Sequence, residues 1–353
     1  MEKLSQTIKK ITKLNYKLME DTQLRLDNLT KPLGSLGRLE ELAKQIAGII
    51  GKESLELKNK VIFTLAADHG VTEEGVSAYP KEVTVEMVYN FLRGGAGINV
   101  LARHAGAKVI VIDIGVAEDL KPDPKLVIKK VDYGTKNMAK GPAMTRDEAV
   151  KAIETGIEIF NQELKNGIDI AGTGEMGIGN TTSASAITAC FTKKPIEDIT
   201  GRGAGLDDKG LNNKINIIKK SLSVNNPDST DPIDVLSKVG GFEIGGLAGI
   251  ILAAAANKVP VVIDGFISGS AALIAYHLEP KVKDYMIAAH CSVESGHRVI
   301  LEHIGLKPLM DLNLRLGEGT GGALGIGLAD AAIKILTQMA TFKSAHVSEK
   351  NKE

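Results

Sequence analysis

A doubly wound α/β fold is what this sequence predicts: a mostly parallel, six-stranded sheet with a small helical domain built from both chain ends. Three observations predict it. Six apolar runs, rich in β-branched residues, begin at Val61, Lys108, Ile168, Pro260, Asp284 and Pro308, and continuous apolar runs suit strands covered on both faces. Helical stretches separate them, as the crossovers of a parallel sheet require. Before about residue 60, and again from Gly321, the pattern is helical with no strand. The division expected is a large domain over 61–324 and a small helical one from 1–60 with 325–353.

The first residues, MEKLSQTIKKITKLNYKLMEDTQLRL, alternate charged with apolar positions and lack the unbroken apolar core of a secretion signal. VIFTLAA, from Val61, is the first strand; it ends in Asp68-His69-Gly70 and enters a loop carrying Ser77, Tyr79 and Pro80. KVIVIDIGV, from Lys108, is the second. MTRDEAVKAIETGIEIFNQELKNG is the clearest helix, opened by a capping-box pattern from Thr145 to Glu148 and closed at Gly167. IDIAGTGEM, from Ile168, runs into GIGNTTSAS, where another helix opens. GLAGIILAAAA is shorter than a membrane span and reads as a buried helix. PVVIDGF, DYMIAAH and PLMDLNLRLG supply the last three strands, and the glycine-rich GEGTGG then opens an alanine-rich helix, followed by the polar tail SAHVSEKNKE. Strand and helix alternating in this way make the large domain Rossmann-like.

At 353 residues the chain can bury a large core. Lys plus Arg equal Asp plus Glu at 43 each, so no overall field draws nucleic acid or an anionic membrane. Any phosphate must be held locally. Two cysteines, Cys190 and Cys291, make neither a disulfide framework nor a metal-type spacing, which fits a reducing, cytoplasmic setting. Asp68-His69 resembles half of a metal pair, but His290, His297 and His303 show no zinc-type spacing with it. A hydrogen-bonded loop lining a pocket is expected there, with no metal.

Ligands of open α/β sheets bind outside the carboxyl ends of the strands. Almost every polar or glycine-rich cluster falls there: Asp68-His69-Gly70, Gly115, Gly172 to Thr182, Asp264-Gly265, His290-Cys291-Ser292 and Gly317 to Gly322. AGTGEMGIGNTTSAS spells G-x-G-x-x-G through Gly172, Gly174 and Gly177, with Asp198 about twenty residues on, where a dinucleotide fold keeps its ribose acid. It also approaches a P-loop from Gly174 to Thr181, but Asn180 stands where the lysine belongs. What both partial matches share is a helix N-terminus with the Thr181 and Thr182 hydroxyls, suited to one phosphate. Gly317, Gly319 and Gly322 spell the pattern again, and a chain rarely needs two dinucleotide sites. Between them, Glu318 is either a partly desolvated base or a solvated turn residue. Arg202, in GRGAGLDD, suits an anion or is a plain surface arginine; Ser268 is expected to N-cap a helix after Asp264.

Six segments, in order along nearly the whole chain, resemble the nicotinate-nucleotide:dimethylbenzimidazole phosphoribosyltransferase family of cobalamin lower-ligand activation. They are DNLTKPLGSLGRLEELA, AADHGVTEEGVSAYPKEVT, GTGEMGIGNTTSASA, GRGAGLDD, DGFISGSAALIA and LRLGEGTGGALG. The resemblance implies that Glu318 is the general base, taking the N–H proton of a benzimidazole whose other nitrogen attacks C1′ of nicotinate mononucleotide. Nicotinate leaves, and inversion gives α-ribazole 5′-phosphate, with no cofactor and no metal. It also implies that Glu175, Gly177, Ile178, Gly179, Asn180, Thr181, Thr182, Gly203 and Lys214 contact phosphate and ribose. Asp264, Ser292, Gly319, Thr320 and Gly321 would hold the nucleotide, and Ser77, Tyr79, Met87 and Leu316 would lie by the aromatic base. A homodimer is implied too. Two other readings compete: a nicotinamide-dependent oxidoreductase using GTGEMG as its dinucleotide loop, and a non-catalytic nucleotide sensor.

Overall fold

The computed structural model describes residues 1–52 and 55–348. One sheet contains β1 (Lys60–Ala67), β2 (Lys108–Gly115), β3 (Leu126–Ile128), β4 (Ile170–Met176), β5 (Val261–Ile263) and β6 (Met286–Ala288), ordered β3-β2-β1-β4-β5-β6. Every pairing is parallel. The order reverses between β1 and β4, which opens a crevice at their carboxyl ends.

Period-two alternation along β1 builds a core on each face. Val61, Phe63 and Leu65 join one apolar cluster with residues of the helices Arg146–Leu164 and Phe242–Ala256, while Ile62 and Ala66 join another with those of Arg38–Ile50, Val83–Arg93 and Thr320–Gln338. The expected capping box is present: Thr145 Oγ1 accepts the Glu148 N–H at 3.2 Å and Glu148 Oε2 accepts the Thr145 N–H at 2.7 Å. GLAGIILAAAA lies inside the buried helix Phe242–Ala256, which packs so closely on Arg146–Leu164 that a Cβ on Gly156 would fall 1.9 Å from the Gly246 carbonyl oxygen.

The strand list needs one correction. PLMDLNLRLG is no strand, and β3, which the apolar runs missed, completes the six. Residues 309–314 run beside the chain that leaves β6: Leu309 and Met310 donate to the Ala288 and Ala289 carbonyls, and Cys291 and Val293 donate to those of Met310 and Leu314. That ladder lies mostly beyond the sheet, and Leu312 and Leu316 are exposed. In β3 only Leu126 is buried, so its three residues carry little apolar signal.

The chain ends meet. Thr30 donates to the Ala340 carbonyl at 3.0 Å and Phe342 to that of Asn28 at 3.2 Å. Helices Tyr16–Asp27 and Arg38–Ile50 pack together and against Thr320–Gln338, which runs unbroken across residue 325. That last helix is long and apolar enough to cross a membrane, but 56% of its apolar window is buried within the molecule. The first helix, Glu2–Ile8, lies apart from them, against Arg146–Leu164, where the Met1 amino group pairs with Glu154 at 2.7 Å. Within the DNLTKPLGSLGRLEELA segment, Lys31 and Glu40 form a buried ion pair at 2.9 Å. The polar tail is described to residue 348; residues 349–353 lie outside the described residues.

Candidate active site

At the switch between β1 and β4, two glycine-rich loops become one structure. β4 delivers Glu175 and Met176, then Gly177-Ile178-Gly179 opens the helix Asn180–Thr192. The second loop, Gly317-Glu318-Gly319, opens Thr320–Gln338. It rests directly on β4, because a Cβ on Gly174 would lie 2.3 Å from the Glu318 carbonyl oxygen; Thr64 Oγ1 also donates to that oxygen at 3.1 Å. The duplicated pattern is therefore one close-packed pair of loops, in which Gly174 permits the backbone approach and Gly179, Gly317 and Gly319 supply left-handed turns.

Glu318 has φ of +64°, a left-handed conformation that costs a side-chain-bearing residue roughly 1–3 kcal/mol and is typical of functional positions. Its Oε2 accepts the Ile98 N–H at 3.3 Å, at the start of helix Gly97–Ala105, and its own N–H donates to Glu175 Oε1 at 3.4 Å. Burial raises the Glu318 pKa; the Ile98 amide opposes this and Asp264 adds to it. Glu175 is pushed up to about 8 by burial, then by the charges of Asp264 and Glu243, against the hydrogen bond from Asn180. Asp264 accepts the N–H groups of Gly319 at 3.2 Å and Gly322 at 2.9 Å, so this buried carboxylate fixes the N-terminus of the helix behind Glu318. Burial raises its pKa as well, against His290 and those amides.

Across the site, Lys214 is fully buried, donating to Thr181 Oγ1 at 2.7 Å and the Gly201 carbonyl at 3.4 Å. Burial pushes it down to about 8, opposed by Glu294.

A cavity of about 670 Å³ joins these parts. Glu318, Leu316, Ser77, Tyr79 and Met87 line it, and so do Glu175, Gly177, Ile178, Gly179, Asn180, Thr181, Gly203 and Ser292. Thr182, Lys214, Asp264, Gly319, Thr320 and Gly321 are not on its wall. Lys214 and Asp264 act from behind, through Thr181 and the helix amides; Thr182 is fully buried.

One expectation from sequence needs correction. Ser268 caps nothing: the N-cap of its helix is Gly265, and the carboxylate of Asp264 serves the other helix. Of the two readings of Arg202, the structure has the plain surface arginine: its half-exposed guanidinium sits on Asp208 at 2.5 Å and the Leu206 carbonyl at 2.9 Å, off the cavity wall. The loop after β1 is hydrogen-bonded and lines the cavity through Ser77 and Tyr79, as expected, while His69 itself is buried off the wall, with Nε2 on Glu243 at 2.7 Å and Nδ1 on Ser183 at 3.1 Å. Burial lowers the His69 pKa, but Glu243 and Asp68 outweigh it and the net shift is upward. Asp198 is exposed and off the cavity wall, unlike the ribose acid of a dinucleotide site. Conversely, His290, Glu294, Asn313 and Arg315 line the cavity without having been singled out as ligand contacts. Their signal was position, since they follow β6 or precede Gly317.

Residues 11–347 match a family model described as phosphoribosyltransferase. The chain is 58% identical over 349 residues to nicotinate-nucleotide–dimethylbenzimidazole phosphoribosyltransferase of Geobacter sulfurreducens, covering 99% of each, and 57% identical, at the same coverage, to the protein of that name from Desulforudis audaxviator. It is also similar to the crystal structure of CobT from Thermus thermophilus, with 45% identity and a TM-score of 0.91 over 95% of this chain and 100% of that one. With matches spanning the two loops, the sheet order and both chain ends, the chain belongs to the phosphoribosyltransferase family.

Proposed function

We propose that the chain moves the 5-phosphoribosyl group of nicotinate mononucleotide to 5,6-dimethylbenzimidazole or a related base, giving α-ribazole 5′-phosphate and nicotinate. One observation carries the proposal: the buried carboxylate of Glu318 shares a single cavity with the N-terminus of Asn180–Thr192. Helix N-termini attract phosphate, and Lys214 behind Thr181 adds charge. The nucleotide is held there while the base lies among Ser77, Tyr79, Met87 and Leu316.

The chemistry then balances within the site. One benzimidazole nitrogen forms a bond to C1′ as the C1′–N bond to nicotinate breaks, its electron pair neutralising the pyridinium nitrogen. The proton on the other benzimidazole nitrogen passes to ionised Glu318. A base positioned in this way contributes ~10²–10⁴-fold, and alignment in the cavity supplies much of the rest. Asp264 and Glu175 position the Glu318 loop through its amides.

We also propose a cytoplasmic homodimer, whose small lobe comprises residues 1–60 and 325–353. The name printed for the Geobacter sulfurreducens relative supports the substrates, and the two buried free cysteines suit a reducing compartment. The test is to supply nicotinate mononucleotide and dimethylbenzimidazole and follow nicotinate and α-ribazole 5′-phosphate by chromatography. Equimolar release of both is expected. Nucleotide binding without product, whichever heterocycle is offered, would instead favour a sensor.

A further inference from the structure

Glu294 is a carboxylate without enough donors. It follows β6, stands at the N-cap position of the helix Ser295–Ile304 without a side-chain capping bond, lines the cavity, and is only 7% exposed. Its Oε1 accepts the Gly203 N–H at 2.9 Å; its buried Oε2 has no hydrogen-bond partner among the described residues. A carboxylate can accept about four hydrogen bonds, and leaving a buried one unfilled is costly. The space is kept for it, since a Cβ on Gly201 would fall 2.0 Å from Oε2. Ser292, two residues earlier, lines the same cavity, and its Oγ accepts the Glu294 N–H at 3.3 Å. Next to Glu294, Gly203 borders Thr181 and Lys214, the phosphate side of the site.

Glu294 helps keep the buried Lys214 charged, yet its own charge beside the phosphate cradle still repels an anion unless the same ligand brings it a donor. The phosphate and the nicotinate carboxylate of the donor substrate offer only acceptors. Its ribose offers two hydroxyls. The benzimidazole N–H is taken by Glu318, and both oxygens of Glu175 are already engaged by Asn180 and the Glu318 amide.

We propose that Glu294 reads the ribose of the phosphoribosyl donor, its carboxylate accepting hydrogen bonds from the C2′ and C3′ hydroxyls with Ser292 alongside. It is a specificity residue that selects ribo- over deoxyribonucleotides. This inference rests on the substrate assignment above.

The experiment is a cycle of residue change against ligand change. Nicotinate mononucleotide and its 2′-deoxy analogue are compared as substrates of the unsubstituted chain and of Glu294→Gln, which keeps shape and removes charge. The unsubstituted chain is expected to prefer the ribonucleotide by about 10- to 100-fold in kcat/KM, the size of a hydrogen bond to a charged group, and Glu294→Gln to lose most of that preference. A carboxylate that merely holds the Gly203 loop would slow both substrates equally, and an undiminished preference would overturn the proposal. So would an unsubstituted chain that accepts both sugars alike. If nicotinate mononucleotide is not turned over at all, the substrate assignment fails separately. Calorimetry with ribose 5-phosphate and 2-deoxyribose 5-phosphate on both chains then decides the role of Glu294 by the same comparison.

Discussion

Glu318 combines three properties that burial alone does not give a carboxylate: a left-handed backbone, a helix N-terminus at its side chain and a cavity before it. Its raised pKa makes it a better base, but only when ionised. The kcat profile should therefore lose activity as pH falls through a value above the ordinary 4.5 for glutamate, a limb that Glu318→Gln should abolish. Glu175 leaves a different signature. Folded, it stays protonated up to about pH 8, whereas unfolded it ionises near 4.5, so stability falls as pH rises between those values. Urea unfolding of Glu175→Gln should show a shallower loss across that window; an unchanged pH dependence would contradict the assignment. Glu318 was legible in the sequence because glycines flank it. Glu294 was not, because its partner Gly203 lies far away in the chain and no local pattern announces the contact.

Among the elements, the two loops stand or fall together. Gly174→Ala would drive a Cβ into the Glu318 carbonyl, so turnover should collapse while circular dichroism keeps its helical signal. A Gly174→Ala chain that turns over normally would show that the loops need no such contact. The helix Arg146–Leu164 is remote from the cavity, and removing its cap through Thr145→Ala should cost about 0.5–2 kcal/mol in denaturant unfolding with turnover unchanged. That helix was readable to its cap because its signals are local. PLMDLNLRLG was misread because alternating leucines look alike in a strand and in an extended segment pairing beyond the sheet. β3 was missed because a three-residue strand owes its place to β2 rather than to its own composition.

Over the whole molecule, the sheet order places both helix N-termini at one end, and helices Tyr16–Asp27 and Arg38–Ile50 close over the face that carries the Thr320–Gln338 helix, while Glu2–Ile8 packs on the other face. That closure includes the buried Lys31–Glu40 pair, and Glu40→Ala should destabilise the fold by about 3–5 kcal/mol, because it strands a buried ammonium. A loss under 1 kcal/mol by thermal unfolding would mean the segment is loosely held. The α/β class and parallel order were legible because apolar runs report burial on both faces. How two distant glycine loops share one cavity depends on the crossing at Gly174, and sequence spacing does not encode it. This cavity sets a base, Glu318, opposite a phosphate site at the N-terminus of Asn180–Thr192. The most direct test of that arrangement is the single-turnover rate of α-ribazole 5′-phosphate formation by Glu318→Gln, saturated with nicotinate mononucleotide, beside the unsubstituted chain. A drop of ~10²–10⁴-fold with nucleotide affinity retained is predicted; an unchanged rate would contradict the account.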